Sequence, residues 1–204
     1  RQAEMEVFAT VGIYLTEQQC TQTQGIRIDE VVALHHARNP WAEPTLETIA
    51  DKIVQRVAQL VQQQGKPMAG VSQILTWLKA REAPLALATG SCHLLIEAVL
   101  QTLDIRQTFG VVQSAEHEKY GKPHPAVYLK TAQNLGIEPT QCLVIEDSLP
   151  GIRAARAAGM KVLAVANTHT VQDLDEADAI THSLTDTRLS DLQTRLWGPA
   201  QGRL

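Results

Sequence analysis

Four short apolar runs separated by helical stretches constrain the fold of this chain more than any other feature. Residues 84–88, 110–113, 142–145 and 161–166 have the length and apolar character of strands. Between them, 93–103, 125–135 and 149–158 carry helical patterning, and Gly136 and Gly159 stand where the latter two should stop. Strands that alternate with helices of this length predict a parallel sheet with helices on its faces.

The first eighty residues have a different rhythm. Val7, Phe8, Val11 and Leu15 recur at helical spacing, and the polar stretch 18–25 reads as a connection. Ile28, Val31, Val32 and His35 predict a second, short helix. Asn39-Pro40 ends it, because proline disfavours a helical residue before it. Beyond Glu43-Pro44, the residues Leu46, Ile49, Ile53, Val54, Val57 and Leu60 form one face of a long amphipathic helix, with Gly65 as its C-cap. Val71, Ile74, Leu75 and Leu78 open a further helix. The expected division is a helical module over 1–70 and an α/β domain over 71–204.

With 44% hydrophobic and 20% charged residues, a chain of 204 residues can bury a sizeable core. Its 18 basic and 22 acidic residues leave a net charge of −4, and no long basic block is present. That balance argues against nucleic acid or an anionic membrane as the main partner. No apolar run approaches the roughly 20 residues needed to span a bilayer. Cys20, Cys92 and Cys142 have no metal-like spacing, which fits structural thiols in a reducing, cytoplasmic compartment. Tyr14, Trp41 and Trp77 read as core aromatics more readily than as a binding surface.

In an open parallel sheet, ligands sit at the carboxyl ends of the strands. Three such ends carry chemistry here. Thr89-Gly90-Ser91 offers hydroxyls and backbone N–H groups at the start of a helix, an arrangement that suits phosphate and equally describes a plain helix cap. Lys122, in Gly121-Lys122-Pro123-His124-Pro125, lies in a proline-stiffened loop; it could neutralise a phosphate or be a solvated loop lysine. Glu146-Asp147-Ser148 comes directly after the run 142–145, and adjacent acids are hard oxygen ligands suited to Mg²⁺. An acid ending a buried strand is costly without a cation or a partner, although Asp147 or Ser148 could merely cap the next helix. Together, a phosphate binder, a cation and an acid pair at one sheet edge make a set suited to phosphoryl transfer.

Thr89, Lys122 within Gly-Lys-Pro-His-Pro and Glu146-Asp147-Ser148 resemble the second, third and fourth motifs of the haloacid dehalogenase superfamily. The helices ahead of them resemble the cap of those members in which it is inserted after the first motif. The stretches 25–32 and 37–41 are similar to the caps of hexitol and 2-deoxyglucose-6-phosphate phosphatases, with β-phosphoglucomutases as the nearest competing enzymes. The resemblance implies a Rossmann-like core with a parallel sheet and an all-helical cap. It also implies Mg²⁺ and a small phosphorylated sugar as substrate, turned over through an aspartyl-phosphate. On this basis Thr89 and Gly90 hold phosphoryl oxygens and Lys122 balances charge. Asp147 binds Mg²⁺ directly, with Glu146 a near or water-mediated ligand. Gly25, Ile26 and Arg27 face the sugar, with Ser91 and His93 as further candidates.

The family's first motif, an apolar strand ending in Asp-x-Asp, has no counterpart here: Asp173-x-Asp175 lies in an acidic polar stretch. The chain is therefore expected to lack the central first strand, roughly 20 residues with its turn, and to be catalytically silent alone. A phosphomutase remains open, as does a non-catalytic phosphate-binding module. A dehalogenase would not require the acid pair. A monomer is expected, since the cap must open and close.

Overall fold

A computed structural model of the chain describes residues 1–167 and 169–186, together with 191 and 196. Its first four helices are α1 (Gln2–Ala9), α2 (Glu17–Gln22), α3 (Ile28–Arg38) and α4 (Leu46–Gln64). They share one core in which Ala3, Phe8, Val32, Ile49 and Ile53 are almost completely buried. Thr45 opens α4, its hydroxyl accepting from Thr48 N at 3.2 Å, and Ile49, Ile53, Val54 and Ala58 form its buried face. Gly65 does close that helix, but in an extended conformation (φ −60°, ψ 131°) rather than a left-handed one. Asn39 leaves helical geometry directly before Pro40, as the proline requires.

Three local expectations need correction. Tyr14, read as a core aromatic, is 82% exposed. The helix expected from Val7 through Leu15 ends at Ala9, and Gly12 turns the chain at φ 80°. The stretch 18–25, read as a polar connection, contains most of α2. Its N-terminus is a capping box: Thr16 Oγ1 accepts from Gln19 N at 3.2 Å while Gln19 Oε1 accepts from Thr16 N at 2.8 Å.

The remainder alternates as anticipated: α5 (Val71–Lys79), β1 (Ala86–Thr89), α6 (His93–Thr102), β2 (Val111–Ser114), α7 (Ala126–Leu135), β3 (Leu143–Glu146), α8 (Leu149–Ala157) and β4 (Lys161–Val165). A fifth strand, β5 (Ala179–Thr181), comes next, and no expectation covered it. Gly136 and Gly159 take left-handed conformations at the ends of α7 and α8. Every strand pair is parallel, and β4 shows why: Val162 and Ala164 pack with Ile152, Ala154 and Ala155 of α8, while Leu163 points the other way against Ile74 and Leu78 of α5. Alternate side chains of one strand thus bury under helices on opposite faces. The polar tail after Trp197 lies outside the described residues.

The pairing falls into two groups. β1 pairs with β2, with Ala86 opposite Val111 and Thr89 opposite Ser114. β4 sits between β3 and β5, with Glu146 opposite Ala164 and Val165 opposite Thr181. Among the described residues, β1 and β3 have no strand partner on their remaining edges. Among the same residues, no helix is long and apolar enough to cross a membrane.

Candidate active site

A cavity of about 460 Å³ opens where β1 and β3 end. Leu87, Ala88 and Thr89 line it from β1, and Ile145 and Glu146 from β3, with Asp147 and Ser148 just beyond. Gly90 and Ser91 add the turn into α6, Lys122 the loop after β2, and Gly25 and Ile26 the helical layer above. The three strand-end motifs therefore converge on one space, as the parallel topology requires.

Lys122 and Glu146 form the centre of the site, with side chains only 6% and 9% exposed. The Lys122 ammonium donates to Glu146 Oε1 and lies 4.8 Å from the centre of the Tyr128 ring. Glu146 Oε1 also accepts from Tyr128 Oη at 2.7 Å. Its other oxygen accepts from Ser148 Oγ at 2.9 Å, Asp147 N at 3.1 Å and Ser148 N at 3.3 Å. Burial alone would raise the carboxyl pKa, but the Lys122 charge and the hydrogen bonds from Lys122, Tyr128 and Ser148 outweigh it and hold Glu146 below the usual range. The strand-ending acid thus has a partner, and a full shell of donors. A Cβ on Gly151 would lie on the Glu146 carboxylate, so α8 can begin this close to it only with glycine there. Burial, and then the negative charge of Glu146, push the Tyr128 hydroxyl strongly upward, keeping it a neutral donor.

Asp147 is in the opposite state. Burial first, and then the neighbouring Glu146 charge, raise its pKa above the ordinary aspartate value. Gln24 Nε2 donates to its Oδ2 at 2.9 Å from the helical layer. Thr89 Oγ1 accepts from Ser91 N at 3.1 Å, and the adjoining turn leads into α6, whose N-cap residue Cys92 makes no side-chain capping bond. Ser148 caps α8 through Gly151 N at 3.2 Å.

The helical layer touches the α/β part at this same edge. Gly25, at φ 85°, passes so close to Ser148 that a Cβ would lie 2.4 Å from its Oγ. Arg27 reaches across to Ala115 O (3.3 Å) and Glu118 O (2.6 Å) while pairing with Asp29 at 2.7 Å. Glu30 accepts from Gly121 N at 3.2 Å. Of the residues expected to contact substrate, Thr89, Gly90, Ser91, Lys122, Gly25 and Ile26 line the cavity together with Glu146 and Asp147. Arg27 and His93 are not among the lining residues; Arg27 is spent on backbone carbonyls, and the His93 ring is bonded to Glu116 at 2.7 Å. Tyr128 was missed, though a tyrosine on the buried face of a helix signals that its hydroxyl has a partner.

The fold and this convergence of threonine, lysine and acid pair define a haloacid dehalogenase-like hydrolase. A family model of that description matches residues 2–165, and the chain belongs to that family. Hexitol phosphatase B of Escherichia coli (strain K12) is 34% identical over 193 residues, which span 93% of this chain and 87% of that protein. A fructose-1-phosphate phosphatase of the same organism is 43% identical over 100 residues, 49% of this chain and 52% of that one. Among solved structures, β-phosphoglucomutase from Clostridium difficile superposes with a TM-score of 0.80 over 96% of this chain and 88% of that one. At 22% sequence identity, that last likeness is one of fold.

Proposed function

We propose that this chain carries the phosphate- and metal-binding part of a magnesium-dependent phosphomonoesterase acting on hexose or hexitol 6-phosphates. One observation carries the reading: Thr89, Lys122, Glu146 and Asp147, from three separate strand ends, meet at a single cavity that the helical layer also lines. The relatives named as hexitol and fructose-1-phosphate phosphatases support a small phosphorylated sugar or hexitol as substrate. Residues 1–70 act as a cap over a core of 71–204, and the protein works as a cytoplasmic monomer.

Each residue has a task its surroundings explain. Thr89 and the Gly90 amide, in the turn leading to α6, donate to phosphoryl oxygens. Lys122 offsets the charge that accumulates on phosphate and nucleophile. Glu146, its oxygens already engaged by five donors, holds Lys122 in place and leaves metal binding to its neighbour. Asp147 fits a hard cation: it is a half-buried carboxylate whose charge the protein itself disfavours, with a single side-chain donor shown on it. Bound Mg²⁺ supplies charge stabilisation at the transferring phosphoryl group. Gly25 and Ile26 contribute the cap side of the sugar pocket.

The nucleophile and the proton donor belong to a strand that seats between β1 and β3 and ends in Asp-x-Asp. Its support is the pair of strand edges that are open among the described residues and face one cavity, with Ile145 of β3 37% exposed there. Asp173-x-Asp175 does not fill that role, because Asp173 is in a short 3₁₀ turn and accepts from Thr170 N and Oγ1. The test is phosphate release from hexose and hexitol 6-phosphates with Mg²⁺. The 204-residue chain alone is expected to be silent, and fusing an apolar strand ending in Asp-x-Asp to its N-terminus is expected to start turnover. Turnover by the unfused chain that disappears in Lys122→Ala would overturn this assignment.

A further inference from the structure

We infer that His93, Glu116 and His117 form a second cation site, for a borderline divalent transition metal with Zn²⁺ foremost, outside the magnesium site. His93 opens α6, and Glu116 and His117 lie just beyond β2, so two adjacent strand ends bring them together. One potential ligand atom from each residue lies within 4.8 Å of the others. Two ligands on a tetrahedral zinc ion at ~2.1 Å stand ~3.4 Å apart, so atoms as far apart as 4.8 Å must close by about 1.4 Å while the 2.7 Å contact of His93 with Glu116 opens. Rotation of exposed side chains supplies that movement.

The donor set selects the metal. Two imidazoles and one carboxylate suit Zn²⁺, Ni²⁺ or Cu²⁺ and are a poor match for Mg²⁺, which takes oxygen ligands. The carboxylate is already oriented, since Glu116 Oε2 accepts from His93 N at 3.0 Å and lies 2.7 Å from the His93 ring nitrogen Nδ1. Those bonds make Glu116 a cap for α6 and account for two of the three residues. They do not account for His117, whose ring stacks on that of His93 at 24° with centroids 6.2 Å apart. The rings are near-parallel and exposed, so turning their in-plane nitrogens toward the Glu116 carboxylate lets the three residues share one cation.

The position gives such an ion a mechanical role. Arg27 of the helical layer holds Ala115 O and Glu118 O, the residues that flank Glu116-His117. His93 comes directly after Cys92, which lines the substrate cavity. An ion here ties the start of α6 to the segment gripped by the cap.

Calorimetric titration of the 204-residue chain with zinc chloride, in excess Mg²⁺ to occupy oxygen sites, tests the inference without any dependence on turnover. One zinc per chain is expected, retained in Asp147→Asn and weakened more than about a hundredfold in His117→Ala, beyond the ~10–100-fold that loss of an outer-shell contact alone commonly brings. His117 is exposed, and far-UV circular dichroism without metal verifies that the variant keeps its fold. No zinc binding, or binding lost in Asp147→Asn and kept in His117→Ala, overturns the site.

Discussion

Replacing Lys122 by methionine should remove the cation that makes the buried Glu146 tolerable while keeping most of the side-chain volume. Both partners are less than a tenth exposed, so solvent screening gives little relief. Breaking a buried ion pair from one side costs about 3–5 kcal/mol, because the remaining charge stays uncompensated. Glu146 would keep Tyr128 Oη, Ser148 Oγ and two backbone N–H donors, which places the expected loss near the lower end, about 3 kcal/mol. Against a typical domain stability of about 5–15 kcal/mol, that is a large fraction. The pH dependence has a definite sign. In the parent, the Glu146 pKa is depressed, so its contribution is present above the unfolded carboxyl value of ~4.3 and lost as pH falls through the folded value. In Lys122→Met, burial acts without the ammonium and pushes Glu146 upward, so the protein relieves the penalty in acid by taking a proton. Urea unfolding of both proteins at neutral pH and near pH ~4 measures this: the difference should be large at neutral pH and shrink in acid. Lys122→Met/Glu146→Gln should recover much of the loss, since an amide needs no cation. A neutral-pH penalty below about 1 kcal/mol, or one equal at both pH values, would refute the reasoning.

Two further substitutions separate metal binding from packing. Asp147→Asn should raise the urea midpoint of the Mg²⁺-free chain at neutral pH. The raised pKa of Asp147 means that its ionised form opposes folding as pH climbs from the unfolded to the folded value, and asparagine can still accept from Gln24. The same variant should lose the stabilisation that added Mg²⁺ gives the parent, a gain absent from the first comparison. Gly25→Val forces a β-branched residue to φ 85° with its Cβ 2.4 Å from Ser148 Oγ, and should cost about 1–3 kcal/mol in urea unfolding.

The α/β half was legible because its signals are periodic and its chemistry sits at strand ends. Thr89, Lys122, Glu146 and Asp147 all stand at the end of an apolar run or in the loop beyond it, and the structure brings all four to one cavity. The elements that escaped are short. The helix α2, Glu-Gln-Gln-Cys-Thr-Gln, buries only Cys20 and has no apolar stripe; its signal was the Thr16–Gln19 capping box. Strand β5 is three residues, Ala-Ile-Thr, beside an acidic stretch, and is held by pairing with β4 rather than by a pattern of its own. Arg27 was expected to face the sugar, yet its guanidinium reaches carbonyls that are 88 and 91 residues away in sequence. Contacts that depend on how a loop folds back leave no local trace. The same holds for Tyr128, whose hydroxyl donates to Glu146 from 18 residues away in sequence.

The most direct test of the central claim is a calorimetric titration of the 204-residue chain with a hexitol 6-phosphate, with and without Mg²⁺, beside Lys122→Ala and Asp147→Asn. A site built from Thr89, Lys122 and Asp147 predicts binding that Mg²⁺ strengthens, that Lys122→Ala weakens with or without the metal, and that loses only its Mg²⁺ dependence in Asp147→Asn. Binding that ignores Mg²⁺ and both substitutions would contradict it.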